Sequence, residues 1–225
     1  MQKIITITKD NSHTFYVPEI NEHYHSINGA ITESNCVFIQ NGLYQFIRKQ
    51  NIIYILEVGF GTGLNALLTA IEAEMHQSII FYTAIEPYPI NLLEIEQLNY
   101  PNLLENLKNK SLFNILHKHN LTSYIKINEY LYFRKFQTKI QDFRITNNEY
   151  FNIIYYDAFS PMVQPEMWTD TIFFKLFNYL KNKGILVTYC SKGSFRRTLT
   201  NIGFKVEKLP GPPGKREVIR AVKIL

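Results

Sequence analysis

Apolar and polar positions alternate weakly over residues 3–8 (Lys-Ile-Ile-Thr-Ile-Thr). The alternation stops at the turn-forming pair Asp10-Asn11 and resumes in His13-Thr-Phe-Tyr-Val, which predicts a β-hairpin over 3–17. Residues 18–29 are polar and turn-rich, and a short helix is expected over 34–48. The pattern then changes. Ile52-Ile-Tyr-Ile-Leu-Glu-Val58 is the short apolar run of a strand buried on both faces, and glycines break it at 59–63. Good helix formers follow from Leu64 to about residue 73, then a second apolar strand over 78–86. Pro87 and Pro89 separate that strand from a helical stretch reaching about residue 98. Helix is expected over 101–118 and strand over 131–137, in the least regular part of the chain. Order returns with strand 150–157, helix 165–180, strand 184–189 and helix 194–201. Two closing strands, 204–209 and 217–224, flank Pro210-Gly-Pro-Pro-Gly-Lys215.

Strands alternating with helices predict an α/β fold with a mostly parallel sheet covered on both faces. The division expected is a hairpin and covering segment over 1–48 and a Rossmann-like domain over 49–225. Composition agrees with a globular chain, at 46% hydrophobic and 19% charged residues. No apolar run approaches a membrane span, and the N-terminus lacks the pattern of a secretory signal, so a cytoplasmic location is expected. Cys36 and Cys190 form neither a metal motif nor a disulfide framework. The net charge of +5 admits a polyanionic partner without requiring one.

The chemistry concentrates in Glu57-Val-Gly59-Phe-Gly61-Thr-Gly63-Leu-Asn65, between a predicted strand and helix. Glycines there let the backbone turn sharply and approach a ligand. The spacing is G-x-G-x-G, and an acid precedes the first glycine by two positions. That arrangement suits the cationic amino group of a methionine moiety better than a pyrophosphate. Glu86, at the end of the next strand, is placed to accept hydrogen bonds from ribose hydroxyls. Helix capping and a plain tight turn are the competing explanations. Asp157 ends a further strand, where ligands of open α/β sheets bind. A carboxylate there can orient an amine and accept its proton, or simply cap the next helix. The sum points to an S-adenosylmethionine-dependent methyltransferase.

Four segments in order carry a closer resemblance: Tyr24-His-Ser26-Ile-Asn-Gly29-Ala-Ile-Thr-Glu33-Ser34, the loop from Leu56 to Asn65, Tyr156-Asp-Ala-Phe-Ser-Pro161, and Pro213-Gly-Lys-Arg-Glu217. From about residue 20 onward the chain resembles the MnmC-type tRNA methyltransferases, in particular their stand-alone MnmD form. The resemblance implies a class I methyltransferase fold with a mostly parallel seven-stranded sheet and a small N-terminal hairpin. It implies N-methylation of 5-aminomethyl-(2-thio)uridine at wobble position 34 of tRNA, giving 5-methylaminomethyl-(2-thio)uridine, with S-adenosyl-L-methionine as donor. In the larger family form an FAD-dependent oxidase domain follows. This chain ends at Leu225 after its closing strand, so neither FAD nor the oxidase step is expected.

By the same resemblance, Glu57, Gly59, Gly61 and Thr62 line the methionine and sugar side of the cofactor. Phe60, Gly63, Asn65 and Pro87 complete that set, Glu86 holds the ribose, and Asp142 meets the adenine amino group. Asp157 is the amine-facing catalytic carboxylate. Ser26, Gly29 and Glu33 belong to a segment expected to fold over the cofactor or target base.

Phe159, Ser160 and Trp168 are candidates for holding the base, although core packing explains Phe159 and Trp168 as readily. Lys192, Arg196, Arg197, Lys205, Lys208, Lys215 and Arg216 concentrate charge in the last quarter and suggest a track for the anticodon stem-loop phosphates. Of these, Lys192, Arg196, Lys215 and Arg216 are singled out for substrate binding. The pairs His23/His25 and His117/His119 lack clustered carboxylate or cysteine ligands, so no metal is expected, and the chain is expected to act as a monomer. The readings set against this one are a polyamine-type aminopropyltransferase or another small-amine methyltransferase, a noncatalytic RNA-binding protein, and an NAD-dependent oxidoreductase, which the glycine spacing disfavours.

Overall fold

The computed structural model describes residues 2–104, 107–118, 122–145 and 150–224. Near the N-terminus, β1 (Ile4–Ile7) and β2 (His13–Val17) form the expected hairpin. A third strand, β3 (Glu22–His23), pairs with β2 and was not foreseen from the polar sequence around it. The hairpin turn is held by Asp10. Its Oδ1 accepts from the Thr8 hydroxyl at 2.7 Å and the Ser12 amide at 3.1 Å, and also from the Ser12 hydroxyl. Its Oδ2 accepts from the Thr32 amide and hydroxyl, both at 2.8 Å, which ties the turn to α1 (Ala30–Ser34). The helix expected over 34–48 thus starts at Ala30. It continues as a π-helical turn, Asn35–Gln40, and ends in a 3-10 turn, Leu43–Gln45, after the non-helical backbone of Gly42.

The main sheet begins with β4 (Ile52–Val58), followed by α2 (Leu64–His76) and β5 (Ile79–Ile85). Next come α3 (Leu92–Ile95), α4 (Tyr100–Leu103) and α5 (Leu107–Lys118). The helix expected over 101–118 is therefore two pieces. The chain goes on through β6 (Ile125–Lys126), β7 (Leu131–Phe136), β8 (Phe151–Tyr156), α6 (Asp170–Tyr179) and β9 (Leu180–Thr188). It closes with α7 (Gly193–Ile202), β10 (Phe204–Pro210) and β11 (Glu217–Lys223). The helix expected over 165–180 is interrupted because Thr169 is extended between the 3-10 turn Pro165–Met167 and α6.

Strand order is β10-β11-β9-β8-β4-β5-β7-β6. Pairing is parallel from β9 through β8, β4 and β5 to β7, and antiparallel at β11 and β6. Seven strands make the expected mostly parallel sheet, and the two-residue β6 adds an edge.

Side-chain alternation splits the core into two layers. Ile53, Ile55, Tyr82, Phe133, Ile153 and Tyr155 face one way, toward α2 and α5. Leu56, Val58, Ile154, Tyr156 and Leu186 face the other, toward α6 and α7. Each fully buried aliphatic side chain here contributes roughly 1.5–3 kcal/mol. The chain proceeds from β4 toward β5 and β7 on one side, then returns to β8 and β9 on the other. The sheet order therefore reverses between β4 and β8, and a crevice opens beyond their carboxyl ends.

Candidate active site

The crevice is a cavity of about 910 Å³, walled by the ends of β4, β5 and β8, the 139–142 turn, residues 157–167, Tyr189, the N-terminal segment around residues 20–33 and Lys215. Parallel pairing sets Val58 beside Tyr156, and the Asp157 amide donates to the Val58 carbonyl at 2.9 Å. The glycine loop and the Asp157 loop consequently leave the sheet side by side. Gly59 has φ +91, and a Cβ there would lie 2.5 Å from the Asp157 carbonyl oxygen. Only glycine permits both the conformation and the approach.

Glu86 lies at the cavity wall. Its Oε2 accepts from the Gly61 amide at 2.9 Å and its Oε1 from the Tyr88 amide at 2.8 Å. Burial raises its pKa, opposed by those two amides and by the Lys135 ammonium. Lys135 itself is buried. It donates to the Leu116 and His117 carbonyls at 3.1 and 3.2 Å, and burial brings its pKa down to about 8.

Glu57 occupies the position after Ile53 and Ile55 on the β4 face toward α2, and is fully buried. Asn65, in the first turn of α2, donates through one Nδ2 to Glu57 Oε1 and to Asp157 Oδ2, both at 2.9 Å. Two buried acceptors, Glu57 Oε2 and Asn65 Oδ1, make no hydrogen bond within the protein. Burial pushes the Glu57 carboxyl well above the usual carboxylate range, with Asp157 and Glu86 adding to the rise. Burial also raises Asp157 to about 7. The Glu33 carboxylate adds to this, while Asn65 and the Lys215 ammonium oppose it. A carboxylate titrating there holds or releases a proton at neutral pH, as a general base must.

Of the residues singled out from sequence, the cavity wall brings together Asp157, Gly59, Gly61, Glu86, Pro87, Asp142, Ser26, Glu33, Phe159, Ser160 and Lys215. Glu57 and Asn65 lie behind that wall. Phe60 is turned inward, 5.1 Å from the His117 ring and 5.9 Å from that of Phe133. Thr62 is buried and meets His25 Nε2 at 2.7 Å, while its carbonyl lies 3.0 Å from His117 Nε2. Gly63 caps α2 with φ +72, and Gly29 caps α1 against Asp10. These four shape and anchor the loops that the cavity residues occupy.

Trp168 packs against Tyr156, Phe173 and Phe195 and donates from Nε1 to the Phe159 carbonyl at 2.8 Å, bracing the 157–160 loop from behind. Lys192 and Arg216 are exposed outside the cavity and Arg196 is half-buried on α7. Lys208 pairs with Glu217 at 2.7 Å and Lys205 with Glu207 at 3.7 Å, so part of the basic track is neutralised.

Several wall residues escaped the sequence reading. Tyr24 packs edge-on against Phe159 at 5.1 Å, the Ser160 hydroxyl donates to Glu22 at 2.6 Å, and Tyr88 and Tyr189 complete the rim. Among 31 tyrosines and phenylalanines nothing marks Tyr88 and Tyr189, and Tyr24 stands out only as the start of the Tyr24–Ser34 segment. Burial depresses the His25 pKa to about 4 and leaves it a neutral partner of Thr62. His119 lies outside the described residues. Among the described residues no group of three or more His, Cys, Asp or Glu is arranged to hold a metal, and no helix is long and apolar enough to cross a membrane.

A sequence-family profile described as "S-adenosyl-L-methionine-dependent methyltransferase" matches residues 99–224. The tRNA 5-methylaminomethyl-2-thiouridine biosynthesis bifunctional protein MnmC of Leptospira interrogans is 30% identical over 222 residues, covering 95% of this chain and 34% of that protein. The protein of the same name from Campylobacter hominis is 28% identical over 206 residues, covering 89% and 30%. The chain thus spans about a third of the length of these curated relatives. Among solved structures, MnmC2 from Aquifex aeolicus superposes with a TM-score of 0.79 at 23% identity, over 98% of this chain and 69% of that one. That likeness establishes the shared fold.

Proposed function

The chain belongs to the S-adenosyl-L-methionine-dependent methyltransferases, and on that premise we propose that it methylates the 5-aminomethyl group of wobble uridine, position 34 of tRNA. The product is 5-methylaminomethyl-(2-thio)uridine. One observation carries the reading: Asp157, at the strand end beside the sheet reversal, opens on the cavity with its pKa raised to about 7. A primary amine is mostly cationic at neutral pH and cannot attack until it sheds a proton. Asp157 attracts the ammonium, accepts that proton and holds the lone pair toward the donor methyl group.

The residues present fit the cofactor. Glycine backbone at 59 and 61 leaves room for close approach, and Glu86 offers acceptors suited to ribose hydroxyls. Asp142 stands at the rim for the adenine amino group. The buried Asn65 Oδ1, which makes no hydrogen bond within the protein, provides an acceptor behind the wall for a cationic amino group. Bound S-adenosylmethionine supplies a methyl group made electrophilic by its sulfonium. The protein's contribution is alignment and proton removal.

The printed names of the relatives support tRNA as substrate. The target base leaves the anticodon stack and enters the cavity, whose wall includes Phe159 and Ser160. Residues 1–48 serve as the covering segment and 49–225 as the catalytic domain. Exposed Lys192 and Arg216, with the half-buried Arg196 beside them, meet phosphate. The chain acts in the cytoplasm as a monomer, on the free aminomethyl nucleoside.

Nucleoside mass spectrometry tests the reading. Incubation with S-adenosylmethionine and tRNA carrying 5-aminomethyluridine should add one methyl to that nucleoside and none to tRNA carrying only the carboxymethylaminomethyl form. No methyl gain on either, in a preparation that binds the cofactor, would transfer the activity to another amine.

A further inference from the structure

Two segments far apart in sequence meet over the cavity beside Asp157. Glu33, on α1, has a side chain only 8% exposed, with Oε2 accepting from the Ser26 amide at 2.7 Å. Its Oε1 accepts from Lys215 Nζ at 2.7 Å, across 182 positions of sequence. Lys215 sits in the turn between β10 and β11, and the turn is fitted to this meeting. Gly214, at φ +85, lies so close to Asn28 that a Cβ would be 2.1 Å from its Nδ2. The Lys215 ammonium also stands 4.0 Å from the centre of the Tyr189 ring. Tyr189 in turn donates to the carbonyl of Ala158, next to Asp157, at 2.8 Å. Glu33, Asp157, Tyr189 and Lys215 all wall the same cavity.

We propose that Glu33 and Lys215 form an ion-paired latch that closes the cavity beside Asp157 and balances the charge around it, making both positioning residues for that carboxylate. The proposal rests on the reading of Asp157 as the amine-facing base. It also reassigns Lys215, which sequence position alone would leave among the phosphate contacts. An ammonium held at 2.7 Å by a nearly buried carboxylate and seated on an aromatic ring is already committed within the protein.

The groups facing Asp157 come from six other parts of the fold. Glu57 of β4 reaches it through Asn65 of α2, Tyr82 comes from β5, Tyr189 follows β9, Glu33 lies on α1, and Lys215 lies in the β10–β11 turn. Glu33 and Lys215 act on it in opposite senses, Glu33 the more strongly. Removing the lysine leaves an unpaired anion near Asp157, which favours its protonated form. Removing the glutamate charge leaves a cation, which favours the carboxylate.

The test reads Asp157 directly, without substrate. In protein labelled with ¹³C at the aspartate carboxyls, the Asp157 resonance is assigned by its loss in Asp157→Asn and followed against pH. Its midpoint should rise by about one pH unit in Lys215→Met and fall by at least as much in Glu33→Gln. It should lie between the two single variants in the double variant and stay at the native value in Lys215→Arg. Thermal melts confirm that each variant is folded. Midpoints in the folded single variants that coincide with the native one would overturn the latch. In a second arm, the salt dependence of tRNA binding should keep its native slope in Lys215→Met. A slope smaller by about one would return Lys215 to the phosphate contacts. The titration holds whether or not the tRNA substrate is correct, so the two failures are distinguishable.

Discussion

Asp10 and Asp157 are the same residue in comparable loop positions, and the molecule treats them in opposite ways. Asp10 receives both hydroxyl and amide donors on each oxygen, and its pKa falls far below the ordinary carboxylate range despite partial burial. Asp157 receives one side-chain donor, Asn65, and its pKa rises to about 7. An acid saturated with donors is a fastener, as Asp10 is between the hairpin turn and α1. An acid left short of donors on a cavity wall keeps acceptor capacity and proton affinity for something else. Asn65 sharpens the contrast, because one amide is divided between two carboxylates that would each take more.

The largest predicted effect removes the geometry that places Asp157. In Gly59→Ala the methyl would collide with the Asp157 carbonyl at a positive φ. A loss on the order of 3 kcal/mol or more, together with loss of measurable cofactor binding, is expected by denaturant titration and calorimetry. Native-like stability and affinity would mean that the two loops are free to separate.

Asp10→Ala should cost about 2–3 kcal/mol at pH 7, because several charge-assisted hydrogen bonds disappear while their donors stay partly buried. The folded-state pKa is depressed, so this stabilisation is present above the ordinary carboxylate pKa and is lost as pH falls through and below it. Urea midpoints at pH 7 and pH 3 should therefore show the gap between native and variant closing in acid.

The smallest effect has the opposite sign. Asp157 has a raised folded-state pKa, so from about pH 4 to 7 the native protein binds more protons than the unfolded chain, and its stability falls as pH rises through that window. Asp157→Asn should be more stable than native by roughly 1–3 kcal/mol at pH 8, with little gain at pH 4. Equal melting temperatures at both pH values would place Asp157 among the fasteners.

Sequence revealed what is local. The apolar run of β4, the glycine spacing, and acids two positions before Gly59 and at the ends of β5 and β8 were all legible. They depend on the period of side chains along a strand and on backbone freedom. Long-range pairings were not legible. Lys215 belonged by position to a basic tail, and only the folded β10–β11 turn brings it to Glu33. Thr62 was read as facing the cofactor, but His25 and His117 hold it inward. Such contacts leave no periodic trace. The helix over 34–48 was misplaced because the start of α1 is fixed by Asp10, some twenty residues away, and not by a capping side chain of its own.

The central claim is that Asp157 is the base for the attacking amine, and single-turnover methyl transfer in Asp157→Asn, measured beside cofactor affinity, tests it most directly. Asparagine keeps the size and the contact with Asn65 but cannot take the proton. Methyl transfer at pH 7.5 should slow about 100-fold or more, within the range for general-base removal, while the cofactor Kd stays within about threefold, under 1 kcal/mol. Transfer at a near-native rate in the variant would contradict the account.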